Sequence, residues 1–291
     1  MIKTILMIAS LAAAFPATPQ AQVKSANASG RGTAAVESSS RAVNPRVRAF
    51  GLTTDQRLIG FKSNAPQRAR TIGPIQGLID DTSLVGMDFR VQNGLLYGVG
   101  NLGGIYTIDT TSGVATFVNR LSIAMTGTSF GVDFNPAADR LRIISNDGQN
   151  LRHDVNVGGV TIADGRLNYV VGTDALGVVG AAYTNNDLDT NTATTLYTVD
   201  STLHQVVLQS PANSGTLVAT GKLTVDASAD VGFDIFSTIS SGVTVDVQAF
   251  ASLVDSIGLA SFYKVTLPTG KAELLGSFRA EDQVMDIAIP L

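Results

Sequence analysis

Val85-Gly86-Met87-Asp88-Phe89 is the stretch from which the fold can be read. Its form, apolar-Gly-apolar-Asp-apolar, returns as Phe130-Gly131-Val132-Asp133-Phe134 and as Val231-Gly232-Phe233-Asp234-Ile235. A degenerate copy is Val179-Gly180-Ala181-Ala182-Tyr183, and the chain ends on Val284-Met285-Asp286-Ile287-Ala288, where Val284 replaces the glycine. The successive positions 88, 133, 182, 234 and 286 lie 45, 49, 52 and 52 residues apart. Repeats at that period are the signature of propeller blades.

Working outward from each copy, a second strand follows: Leu95–Val99, Leu141–Ile144, Leu196–Val199 and the region from Val243 to Phe250. A third follows at Ile105–Asp109, Leu151–Val155, Leu203–Leu208 and Phe262–Thr266, and a fourth at Ser112–Val118 and Thr269–Leu275. Asn-Gly, Ser-Gly, Gly-Gly and Asp-Gly pairs between the runs are hairpin signals. Phe50–Leu52 and Arg57–Phe61 look like second and third strands with no first, whereas Val284–Ile289 is a first strand with nothing after it. Pairing them closes the ring and removes the exposed sheet edges. The expectation is an all-β propeller of about five four-stranded blades, closed by its N- and C-terminal strands, with six blades as the alternative.

The composition agrees with this reading. The 291 residues include 29 Gly, two His and no Cys or Trp, only 15% are charged, and the net charge is −4. Lack of Cys excludes disulfides, thiolate metal sites and cysteine nucleophiles. A slightly acidic chain lacks the field that nucleic-acid binding needs, so no nucleic-acid partner is expected. Lys3, the 11-residue apolar run Ile5–Phe15 and the following Pro16 and Pro19 have the layout of a secretory signal peptide over residues 1–21, cleaved between about 21 and 28. That run is too short to span a bilayer, which takes about 20 residues. Residues 22–47, rich in Ser, Ala, Gly and Arg, read as a flexible tether, and 48–291 as the propeller.

The stretch Asp139–Arg152, with Val179–Asn186 and Val231–Ile235, resembles a family of exported bacterial proteins catalogued as a domain of unknown function. The resemblance covers about residues 48–291 and implies a propeller-like fold and export to the periplasm or the extracellular space. It carries no assigned activity, cofactor or catalytic residue.

Two groups of side chains stand out chemically. Inner strands converge on a propeller's axis, so Asp88, Asp133, Asp234 and Asp286 should form a ring broken at Ala182. Such a ring could hold a hard cation such as Ca²⁺, or each Asp could accept hydrogen bonds that lock one blade to the next; the second fits a residue that repeats with the fold. The polar run Arg140, Arg142, Asn150 and Arg152, with Asn185 and Asn186 in the next unit, offers paired guanidiniums and amides for a ligand, or salt bridges to Asp133, Asp139 or Asp154. Three motif matches fail on context. Asp187–Asn191 lacks the Gly and Glu of a calcium loop, and Gly98–Gly103 runs into a strand rather than a helix. Gly127–Gly131 has neither the helix nor the nearby His of a nucleophile elbow, and His153 and His204 read as surface strand residues. The expectation is an exported, non-catalytic, monomeric binding module with no cofactor. Its partner would be an unknown small molecule or an envelope or extracellular protein, with no membrane insertion after signal cleavage. The alternative is a metal-dependent secreted hydrolase or lactonase with a carboxylate-lined channel.

Overall fold

In the computed structural model the described residues are Arg46–Leu291; the expected signal peptide and the tether up to Pro45 lie outside them. The chain opens with β1 (Arg48–Thr53), β2 (Arg57–Lys62) and β3 (Arg70–Pro74). The second sheet is β4 (Leu84–Phe89), β5 (Leu96–Gly100), β6 (Gly104–Ile108) and β7 (Ala115–Arg120). The third is β8 (Phe130–Asn135), β9 (Arg140–Ser145), β10 (Asn150–His153) and β11 (Thr161–Ala163). A small ribbon, β12 (Asn168–Val170) with β13 (Thr173–Asp174), precedes the fourth sheet. That sheet is β14 (Val178–Tyr183), β15 (Leu196–Asp200), β16 (Gln205–Gln209) and β17 (Leu217–Lys222). The fifth is β18 (Val231–Ser240), β19 (Val243–Val254), β20 (Ala260–Val265) and β21 (Ala272–Ser277), and β22 (Val284–Ala288) ends the chain.

β22 joins the first sheet in the order β22-β1-β2-β3, antiparallel to β1, with Phe50 opposite Ala288 and Leu52 opposite Asp286. The first and last strands thus share one blade, as the chain ends imply. Neighbouring inner strands touch in the cycle β22, β4, β8, β14, β18 and back to β22, a closed five-bladed propeller. Each of the five apolar clusters fills the space between two adjacent blades. At the closure, Phe61 meets Phe262 edge-on at 5.0 Å, and Phe262 stacks on Phe250 at 5.5 Å. Val47, assigned to the tether on composition, packs in this cluster, and its N–H reaches Ser63 Oγ at 3.1 Å. Among the described residues no helix is long and apolar enough to cross a membrane.

The repeated glycine has a steric cause. A Cβ on Gly131 would lie 2.8 Å from the Ala181 nitrogen, and one on Gly232 2.6 Å from the Ile287 nitrogen. A ring of only five blades brings inner strands within backbone contact there, and only glycine allows it. On β22 the glycine position is taken by Val284, which pairs with Thr53 of β1 and packs by Gly51, where an added Cβ would sit 3.1 Å from Val284 Cγ1.

Candidate functional site

An inner strand has one edge with no strand beside it, so its outward N–H groups need acceptors. The repeated Asp supplies them across the blade boundary. Met87 N–H donates to Asp286 Oδ2 at 2.7 Å, Phe134 N–H to Asp88 Oδ2 at 2.7 Å, Tyr183 N–H to Asp133 Oδ1 at 2.9 Å, and Ile289 N–H to Asp234 Oδ2 at 2.6 Å. Four of the five inner-strand junctions carry this bond, and Ala182 leaves the one between β14 and β18 without it.

All four carboxyls are buried. Asp88, Asp133 and Asp234 each place an oxygen within 4.8 Å of the others, whereas Asp286 stands outside that trio. Burial drives all four pKa values upward. Asp234 reaches about 7, held back by the N–H groups of Ile289 and Ile235. Asp88 is raised well above the usual range by burial and then by Asp234, and Asp133 by burial and then by Asp88 and Asp234. Asp286 rises through burial, opposed by the N–H groups of Met87 and Ile287. Like charges this close and this deeply buried cannot all ionise, so near neutral pH the ring holds protons unless a cation replaces them.

The arginine run forms a separate, internally satisfied network. Register puts Arg152 directly opposite Arg142, and Asp164 lies between them, 2.7 Å from Arg142 Nη1 and 3.1 Å from Arg152 Nε. Arg142 is buried and also donates to Asn150 Oδ1 at 2.7 Å, Asn213 Oδ1 at 2.7 Å and the Tyr183 hydroxyl at 3.2 Å. Tyr183 and Asn213 belong to the fourth blade, so this guanidinium ties two blades together. Arg140 turns instead to Asp154 at 3.1 Å, and Asp139 pairs with Arg90 of the preceding blade. Asp133 takes no arginine, and Asp164, which sequence had not singled out, is the acceptor at the centre. Asn185 and Asn186 lie in the loop after β14. Asn185 donates to the Ala193 carbonyl, and Asn186 bridges to the fifth blade through Ser237 Oγ at 3.0 Å and the Ile235 carbonyl at 3.1 Å.

The remaining motifs take structural places. Asp187 and Asp189 accept the N–H groups of Asp189 and Asn191 at 3.0 and 2.8 Å, and Asp187 also holds Thr244 N–H at 2.8 Å. Gly98–Gly103 is the β5–β6 hairpin. His153 is fully buried rather than on a strand surface, because Thr161 Oγ1 and Asn119 Oδ1 satisfy its ring nitrogens at 3.0 Å each.

A shallow, open cavity of about 500 Å³ lies where β4, β8 and β22 begin. Val85, Met125, Phe130 and Met285 form its apolar wall, with Gln56, Asn101 and Thr128 beside them, and none of its lining residues is charged. Gln56 has a left-handed backbone (φ 61°), which lets its amide pair with Leu84: Oε1 accepts the N–H at 2.7 Å and Nε2 donates to the carbonyl at 3.1 Å. Asn101 Oδ1 accepts the N–H groups of Thr82 and Ser83 at 2.8 and 3.2 Å, leaving its Nδ2 uncommitted among the described residues. Sequence reading missed this cavity. Val85, Phe130 and Met285 of its lining belong to the repeated motif, but most of the other residues come from turns and connectors scattered over three blades, and nothing local in the sequence shows that they converge.

A family model described as "Domain of unknown function (DUF4394)" matches residues 57–288. No curated protein matches the chain. Among solved structures, a protein of unknown function from Bacteroides thetaiotaomicron is similar at 12% identity and TM-score 0.44, over 77% of this chain and 54% of that one. An auxiliary nutrient binding protein from Bacteroides ovatus is similar at 16% identity and TM-score 0.38, over 59% and 46%. Myxococcus xanthus glutaminyl cyclase is similar at 13% identity and TM-score 0.39, over 70% and 69%. The chain spans about half the length of the first two.

Proposed function

We propose that this chain, which belongs to the DUF4394 family of unknown function, is an exported binding module that takes an uncharged small molecule at one end of its channel. The observation that carries this reading is the cavity of about 500 Å³ at the start of β4, β8 and β22. Its size falls within the range of small-molecule sites, roughly 300–1,000 Å³, and an apolar wall with a few amide and hydroxyl groups suits a neutral ligand. The Gln56 side chain is tied to the Leu84 main chain and the Asn101 side chain to the Ser83 N–H, so little ordering would be required on binding. Ligand-observed NMR against neutral mono- and disaccharides and small amphiphiles tests it, repeated on Thr128→Arg, which projects a charge into the cavity. Binding in the wild type that disappears in the variant supports the reading; no binder, or binding unchanged in the variant, refutes it.

A metal-dependent hydrolase remains the second reading, favoured by the oxygens of Asp88, Asp133 and Asp234 within 4.8 Å of one another. Three carboxylates would suit a hard cation such as Ca²⁺, although each already accepts a main-chain N–H. Elemental analysis and melting with and without chelator separate the readings: a bound metal whose removal lowers Tm selects the second.

A further inference from the structure

The closing blade carries a second feature unrelated to the channel. An open groove of about 760 Å³ runs along it, lined by Arg46, Arg48, Lys62, Arg68 and Arg70. All five are exposed, and no acidic residue lines the groove. Its floor includes Phe61 and Ile72. Register explains the convergence: Arg48 at the start of β1 lies opposite Lys62 at the end of β2, and Arg70 at the start of β3 lies opposite Gly60. Arg68 sits in the 3-10 turn Pro66–Arg68 between β2 and β3, and Arg46 immediately precedes β1.

The rest of the propeller treats its arginines differently. Arg57, Arg90, Arg120, Arg140, Arg142, Arg152, Arg166 and Arg279 are each paired with a carboxylate. Among the described residues the four arginines without such a pair all line this groove, and Arg48 is instead held over the Phe50 ring at 4.6 Å. Like charges set opposite each other in a sheet cost stability. Charges on an edge strand can serve to block edge pairing, but that purpose would need cations on β3 alone. Residues 1–45 carry Lys3, Lys24, Arg31 and Arg41 against a single acid, Glu37, so the preceding sequence is itself net positive.

We propose that this groove binds a ligand bearing two or more phosphate groups. A phosphate monoester carries about −1.5 to −2 near neutral pH, so two or three match five cations. Planar guanidinium forks bond phosphate oxygens in pairs, which fits a site built mostly of Arg. The phosphates could belong to a soluble phosphorylated molecule or to lipid headgroups.

Tripolyphosphate is the probe, titrated calorimetrically into the wild type and into Arg68→Glu/Arg70→Glu. Neither residue has an ion pair to lose, and a matching melting curve verifies that the variant folds. One-to-one binding is expected, weakened at least about tenfold by the charge reversals and severalfold between about 0.05 and 0.3 M salt. A parallel arm measures cosedimentation with phosphatidic acid vesicles. Vesicle binding displaced by tripolyphosphate assigns the groove to headgroups, and tripolyphosphate binding without vesicle binding assigns it to a soluble ligand. Absence of tripolyphosphate binding, equal affinity in the variant, or vesicle binding that tripolyphosphate does not displace would overturn the proposal.

Discussion

Replacing Asp133 by Asn probes the carboxylate ring most directly. Asn keeps an oxygen for Tyr183 N–H, the bond that Asp133 Oδ1 accepts at 2.9 Å, and removes the charge. Asp133 has oxygens within 4.8 Å of those of Asp88 and Asp234. At an effective dielectric near 20, each ionised pair at that separation repels by about 3 kcal/mol. Burial adds its own cost, raising Asp234 from 3.8 to about 7, equivalent to about 4 kcal/mol, so the ring holds protons rather than carrying every charge. With raised pKa values the folded chain holds more protons than the unfolded chain. The associated stability is therefore complete below about pH 4 and is lost as pH rises through about 7. Asp133→Asn should consequently be near neutral at pH 4 and stabilising by about 2–4 kcal/mol at pH 8, equivalent to several degrees in Tm for a domain of this size. Urea unfolding at both pH values, with chelator present, measures this. A variant destabilised equally at both pH values would refute the electrostatic reasoning.

Further outcomes follow from the same geometry. Wild-type stability should fall between about pH 5 and 8, in the window of the raised Asp234 pKa, and a urea midpoint that rises across it would contradict the burial of these carboxyls. Gly131→Ala and Gly232→Ala should each cost more than about 3 kcal/mol, because the new Cβ meets main-chain atoms at 2.8 and 2.6 Å that cannot move aside; a loss under about 1 kcal/mol in thermal melts would show that the inner strands have slack. Arg142→Ala should cost about 3–5 kcal/mol by leaving the buried Asp164 without its closest cation, and Arg142→Lys should recover little, since one ammonium cannot reach Asn150, Asn213, Asp164 and Tyr183 together. Denaturation of the two variants side by side tests both claims.

The comparison of sequence with structure divides along range of interaction. Blade number, closure by the chain ends and the inward Asp were legible because they repeat: each Gly-x-Asp copy performs the same local task, and the period exposes it. Fourth strands were harder to read. β11 has three residues and β3 contains both Gly73 and Pro74, so neither shows a clear alternation. Arg142, Arg152 and Asn150 were recognisable as a cluster by register, but Asp164, the residue they enclose, lies beyond β11 in a loop without periodicity. The cationic groove had a signal that went unused: residues 46–70 contain Asp55 as their single acid. Strand length places Asp55 and Arg57 at the opposite end of the blade, where Arg57 is taken up by Asp55 and Asp282.

By itself the sequence determined a closed propeller of about five blades, with six left open until the strand pairing decided it, because the order and spacing of short β-branched strands and tight turns depend mostly on neighbouring residues. Tertiary structure decided what those residues face. Only ring closure turns the repeated Asp into a cross-blade acceptor for the next strand's N–H, and only convergence on that axis brings the burial and the neighbouring carboxyls that raise its pKa. Only the pairing of distant charges determines which arginines are neutralised and which remain exposed, since a salt bridge depends on where two chain segments meet rather than on either segment alone.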